Sequence, residues 1–232
     1  MFKIFRKETP VLKSCYNFVE NSPFDHDSTI KKLYEVLLET QNLDYSSFAY
    51  TGRERSYLYH PSDALIGFDF SGISLNHTNF SRRDIEDVNF TNTSLIKANF
   101  TNTRGYDPKF KNANLEGVDF SDTNLTRGDF SNANLRGANF TGAKLDCIKF
   151  YNANLQGAIF IGAILTRAKF KGANLIDTDF RNCTIKDDEF GVGADFTDAN
   201  LRNAKITNLC LGSKISKTDF LSALNIKITN CS

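Results

Sequence analysis

The sequence predicts an all-β solenoid, a chain wound into stacked coils. Three observations carry this. Phenylalanine stands at every tenth residue from Phe70 to Phe190 without a miss. Midway between successive phenylalanines stands Leu or Ile, as at Leu75, Leu115, Leu135, Leu155, Leu175 and Ile185, with Gly105 as the exception. Two residues before each of these is a small residue, as at Ala98, Ala113, Ala133, Ala153 and Ala173, or a threonine, as at Thr78, Thr103 and Thr123. A period of five fits neither the helix (3.6) nor the ordinary strand (2.0). A strict short repeat over so many units is the mark of a solenoid.

Residues 1–42 lie outside the repeat and predict a helical cap. Thr9 before Pro10 reads as an N-cap with proline at the first helical position. Leu12, Cys15, Tyr16 and Val19 then form one apolar stripe, and Asn21 and Pro23 end it. A second helix is expected from Asp27 or Ser28, with Ile30, Leu33, Tyr34, Leu37 and Leu38 on one side. A solenoid end exposes core and unpaired edges, which such a cap would cover. Residues 43–64 read as an imperfect first coil, with Leu43 and Phe48 five apart, followed by a loop excursion.

The regular repeat occupies 65–232. Asn or Asp often precedes the central residue, as in Ala133-Asn134-Leu135-Arg136-Gly137-Ala138-Asn139-Phe140. This unit resembles that of the pentapeptide-repeat family, A(D/N)LXX. The resemblance implies a right-handed β-helix of square cross-section with four pentapeptides per coil. It further implies about seven coils between Leu65 and Leu211. Coils about 4.8 Å apart would make the regular part about 35 Å long. Phe70, Phe90, Phe110, Phe130, Phe150, Phe170 and Phe190 would then form one core column facing a second column on Phe80 through Phe180. Leu115, Leu135, Leu155 and Leu175 would belong to the remaining faces. A local bulge is expected at Gly105, which with Tyr106 and Pro108 keeps the count of five. Register slips are expected near 188–195, where Asp188 falls on an inward slot and later centres run one residue late, and near 213–215.

Bulk properties narrow the function. The net charge is +1, and residues 68–192 carry fifteen acidic and fifteen basic residues, so no global field draws it to nucleic acid or an acidic membrane. No apolar run is long enough for a transmembrane helix, and no secretory signal pattern follows the first residues. Five cysteines, an odd number without a C-x-x-C pair, suit a reducing cytoplasm. His26, His60 and His77 share no metal-ligand spacing with them. No cofactor is expected.

An interior packed with Phe and Leu leaves function to faces, ends and loops. The acidic clusters Asp84, Glu86, Asp87 and Asp187, Asp188, Glu189 read as solvated turns rather than catalytic pairs. Lys109, Lys111, Lys149, Tyr151, Lys169 and Lys171 cluster around one Phe column. They make either a basic stripe for an acidic partner or, with Asp129 between Lys109 and Lys149, a cross-strand charge ladder. Ile159, Ile161 and Ile164, extended by Ile176, fall on outward positions that elsewhere are polar. They are either an exposed docking patch or surface β-propensity.

The sequence thus predicts a non-enzymatic protein–protein interaction scaffold with an unidentified partner, self-association being open. It would be cytoplasmic, or delivered into a host cell by an intracellular bacterium without a cleavable signal peptide. The alternative implied by the resemblance is a DNA-mimicking protein that protects gyrase from quinolones. The balanced charge and the lack of a helical pattern in the tail depart from that branch.

Overall fold

The computed structural model describes residues 65–185, 193–207 and 210–211, the last pair by backbone alone. Over 65–185 the chain returns on itself every twenty residues, and residue i pairs in parallel with residue i+20. Asp69↔Asn89, Ser74↔Ser94, Asn79↔Asn99 and Asp84↔Arg104 begin four such columns. Each side of a coil is mostly a single bridged residue between turns. Longer strands are β1 (Arg104–Tyr106), β2 (Asn124–Thr126), β3 (Thr184–Ile185) and β4 (Cys210–Leu211), pairing β1 with β2 and β3 with β4 in parallel. The helical cap expected over 1–42, the imperfect coil over 43–64 and the slip near 213–215 lie outside the described residues.

The five-residue unit follows from backbone geometry. Most corners close with an amide donating to the carbonyl three residues back, as Ala133 N to Phe130 O at 3.0 Å. From Gly67 to Asn182 every fifth residue adopts a left-handed φ, between 54° and 73°. Glycine meets this demand without strain, and Asn and Asp tolerate it. Arg82, Lys97, Arg127, Cys147 and Arg167 adopt it as well. Glycine is therefore the unstrained option at a corner, not a requirement. The Asn or Asp before the central residue fastens the corner from outside. Its side-chain oxygen accepts the amide two residues on, as in Ser71 N to Asp69 Oδ1 at 2.9 Å and Thr101 N to Asn99 Oδ1 at 2.9 Å.

The core is two phenylalanine stacks meeting edge to face. Phe110 and Phe130 are parallel at 4.6 Å, Phe140 and Phe160 at 4.8 Å, and Phe120 meets Phe130 at 89°. Phe80 through Phe170 are fully buried, as are Leu115, Leu135, Leu155 and Leu175. The inward small slots hold mostly alanine, with Val88, Val118, Ile148 and Cys183 among the others, or threonines, of which Thr93 Oγ1 donates to Phe70 O at 2.7 Å. Arg83 also occupies such a slot, at 7% exposure, which the repeat pattern did not foresee.

Two expectations are corrected. At Gly105 the pairing stays one to one, Gly105↔Leu125, and no bulge forms. A Cβ there would lie 2.9 Å from Ile85 Cγ1 and 3.0 Å from the Ile85 carbonyl carbon, so its absence lets the strand lie flat. Pro108 has no amide to close the corner, and the extended backbone continues to Tyr106. The second correction concerns the place of Phe190 in its column. Phe190 lies outside the described residues, and its expected place over Phe170 is taken by Phe196, stacked at 4.7 Å. The pairing there steps by twenty-six, with Lys169↔Asp195, Asn174↔Asn200 and Asp179↔Lys205. The centres Phe196, Leu201 and Ile206 do run one residue late in the five-residue register, as expected, and the pairing also passes over one further pentapeptide, six residues in all, which sets Phe on Phe and Asn on Asn.

Candidate functional site

The buried rings fill the inside of the coils, so chemistry is confined to the outer columns. Each outer residue is placed by its number modulo twenty. One column is an amide ladder. Asn134, Asn154 and Asn174 each donate through Nδ2 to the Oδ1 of the residue twenty before, at 3.0, 3.5 and 3.0 Å. These groups satisfy one another and leave little for a partner.

The isoleucines occupy two neighbouring faces and the corners beside them. Ile159 bridges Asn139 and Asp179, and Ile164 bridges Lys144 and Thr184. Both side chains are exposed, at 36% and 38%, whereas Ile161 and Ile176 are half-buried. Isoleucine at 159 and 164 cannot supply the side-chain oxygen that fastens other corners. Arg167 beside them is held by Asp146 at 3.0 Å.

The lysines fall into two adjacent columns. One runs Asp69, Asn89, Lys109, Asp129, Lys149, Lys169, Asp195 by successive bridges. In the neighbouring corner column, Asn112 N donates to Ser131 O, Asn132 N to Tyr151 O and Asn152 N to Lys171 O, which aligns Lys111, Ser131, Tyr151 and Lys171. The charge ladder read from the sequence is present at 109–129–149 and again at 169–195. Between Lys149 and Lys169 it is broken by two like charges in direct register. Burial pushes the Asp195 carboxyl up, but the hydroxyl and amide of Thr197 together with Lys169 and Lys171 outweigh it and hold it below the usual range.

The remaining titratable groups serve the fold. Asp84 Oδ2 accepts from Arg104 Nε at 3.0 Å and Oδ1 from the Glu86 amide at 3.2 Å. Its carboxyl is nonetheless pushed up, chiefly by burial. Asp187, Asp188 and Glu189 lie outside the described residues. Burial pushes the Cys183 thiol up to about 12, and its Sγ donates to the Phe160 carbonyl, so it packs as an inert group. Sequence reading missed one surface cluster. Arg127 stacks 5.0 Å over the Tyr106 ring, donates to its hydroxyl at 2.7 Å and pairs with Asp107 at 3.0 Å. Adding twenty or twenty-one to a residue number finds all these partners. Among the described residues no group of three metal-ligating side chains gathers, and no helix is long and apolar enough to cross a membrane.

A family model described as "Pentapeptide repeat region" matches residues 83–160, and a second, "Pentapeptide repeats (8 copies)", matches 148–187. No curated protein sequence matches the chain. Among solved structures it is similar to full-length QnrB1, a plasmid-mediated fluoroquinolone resistance protein, at 20% identity and TM-score 0.38 over 70% of this chain and 88% of that one. It is also similar to a pentapeptide repeat protein of the Arabidopsis thaliana thylakoid lumen, at 35% identity and TM-score 0.28 over 51% and 66%. A third is HetL, involved in heterocyst differentiation regulation in the cyanobacterium Nostoc, at 17% identity and TM-score 0.29 over 64% and 89%.

Proposed function

Because residues 83–187 of this chain belong to the pentapeptide-repeat family, we propose that it is a non-enzymatic docking protein whose coils form a right-handed quadrilateral β-helix. The twenty-residue parallel pairing supports that form. One observation carries the docking role. The inside is sealed by stacked rings, while Ile159 and Ile164 stand exposed at positions that adjoining coils fill with Asn, Asp, Lys or Thr. With about a third of each side chain still in water, a covering surface would recover roughly 0.5–1 kcal/mol per isoleucine. Gyrase protection by DNA mimicry draws no support from the columns, where lysines interrupt the aspartates.

The test is the triple change Ile159→Asn, Ile161→Asn and Ile164→Asn. Asparagine at 159 and 164 restores the corner-fastening oxygen, so the variant should keep or raise its melting temperature. Self-association by light scattering and partner capture by mass spectrometry are compared with the parent. Loss of either supports the patch. Unchanged behaviour in both assigns the isoleucines to surface β-propensity.

A further inference from the structure

We infer that Lys149, Lys169 and Lys171, grouped around Tyr151, are the docking site for an acidic protein segment. The inference rests on the reading of the outer faces as docking surfaces, and it adds the face and the chemistry of the partner. Lys149 and Lys169 are direct bridge partners. Like charges in that relation repel, and elsewhere in the same column an aspartate separates the lysines. Lys171 stands in the adjoining column beside Tyr151, whose carbonyl and that of Lys171 accept from consecutive corners. None of the three ammonium groups has a carboxylate within ion-pair distance among the described residues, where the pairs formed are those of Arg104, Arg127, Arg167 and Arg181. The depression of Asp195 by Lys169 and Lys171 is consistent with a local positive field.

Shape favours a peptide over a polynucleotide. Asp129 and Asp195 bound the cluster in its column, three coil steps or about 14 Å apart. A nucleic-acid track draws on a longer row of cations, with six to ten phosphate contacts being usual for strongly salt-dependent binding. Lys169 and Lys171 are two residues apart along one coil, about 6.6 Å at strand rise. That is the spacing of carboxylates at i and i+2 on one side of an extended peptide. Tyr151, one coil before Lys171 in the same column, offers an apolar ring to the methylene groups of those acidic side chains.

The experiment uses the full chain and a fluorescein-labelled octapeptide of alternating Glu and Gly, with binding read by anisotropy at low salt. A labelled oligouridylate of equal charge is titrated in parallel. The variant Lys149→Gln/Lys169→Gln/Lys171→Gln should weaken peptide binding about tenfold, as the loss of three surface ion pairs would, Lys171 being exposed and Lys149 and Lys169 half-buried. Its melting temperature should change little, since one repulsive and two attractive cross-strand pairs are removed together. The control Lys97→Gln/Arg136→Gln/Lys144→Gln, on other faces, should bind as the parent does. Equal weakening by both variants, tighter binding of the oligouridylate, or no saturable peptide binding each overturns the inference. A captured partner that survives the lysine changes and is lost on the isoleucine changes overturns it too, while leaving the docking reading intact.

Discussion

Removing one ring from the middle of the stack tests the core most directly. Phe130 is fully buried, parallel to Phe110 at 4.6 Å and to Phe150 at 5.3 Å, and edge-on to Phe120 and Phe140 at 5.5 and 6.2 Å. Burying an aromatic side chain removes about 150–250 Å² from water, or about 4–6 kcal/mol at 25 cal/mol/Å². Alanine keeps only the Cβ share. The void cannot collapse, because its walls are pinned by short backbone bonds. Phe110 N donates to Asp129 O at 2.7 Å, and Phe130 N to Lys149 O at 2.7 Å. Phe130→Ala should therefore cost about 3–5 kcal/mol, and Phe130→Leu about 1–2 kcal/mol. Asn132→Gly, at an exposed corner with φ 59°, keeps the left-handed conformation and should change stability by less than about 0.5 kcal/mol. Alanine would be a poorer control there, because it adds corner strain. Chemical denaturation followed by circular dichroism and tyrosine emission measures all three, the chain having no tryptophan. Equal midpoint shifts for Phe130→Ala and Asn132→Gly would refute the inward register. A broadened or biphasic transition in Phe130→Ala would show coils uncoupling on either side of the void, as expected of a chain whose units touch only their neighbours.

Gly105→Ala should destabilise by about 1–3 kcal/mol, since its methyl would press on the Ile85 backbone. Trimming the Ile85 side chain should not rescue it, which paired melting curves would show. Lys97→Gly should stabilise by about 1 kcal/mol, because a lysine held at φ 55° gives way to a residue without the left-handed penalty. Hydrogen bonding to Arg181 leads the causes that hold the Asp179 carboxyl below its ordinary 3.8. Its contribution is thus full above that value and lost as pH falls through the lowered one. Asp179→Asn should flatten the acid limb of the stability profile and leave the limb above pH 5 parallel to the parent.

Much of this fold was legible because the period of five is independent of tertiary context. The inward columns, the two ring stacks and the lysine and isoleucine columns could be assigned from residue numbers alone. Besides Arg83 and the Arg127 cluster, two features escaped. Strain at the corners did not show, because Lys97 and Arg127 look like ordinary surface residues until their φ is known. The six-residue step escaped because Phe190 keeps the ten-residue spacing. Only pairing reveals that Phe196 completes the stack. The break between Lys149 and Lys169 was present in the numbering but was masked by the alternation at Asp129, one coil earlier.

The spacing of the backbone bonds also bears on how the chain folds. Through residue 185, coil-to-coil bonds join residues nineteen to twenty-one apart, as in Leu65 N to Asp84 O and Asn89 N to Phe68 O. Against the 121 residues of 65–185 this is a relative separation of about 0.17, where mixed α/β and all-β domains meet. No bond in that segment waits on a distant part of the chain, so the coils can form in sequence, each on the one before. Each finished coil offers a template of amides and rings to the next twenty residues, and the step to twenty-six at Phe196 is where that zippering must span the longest gap.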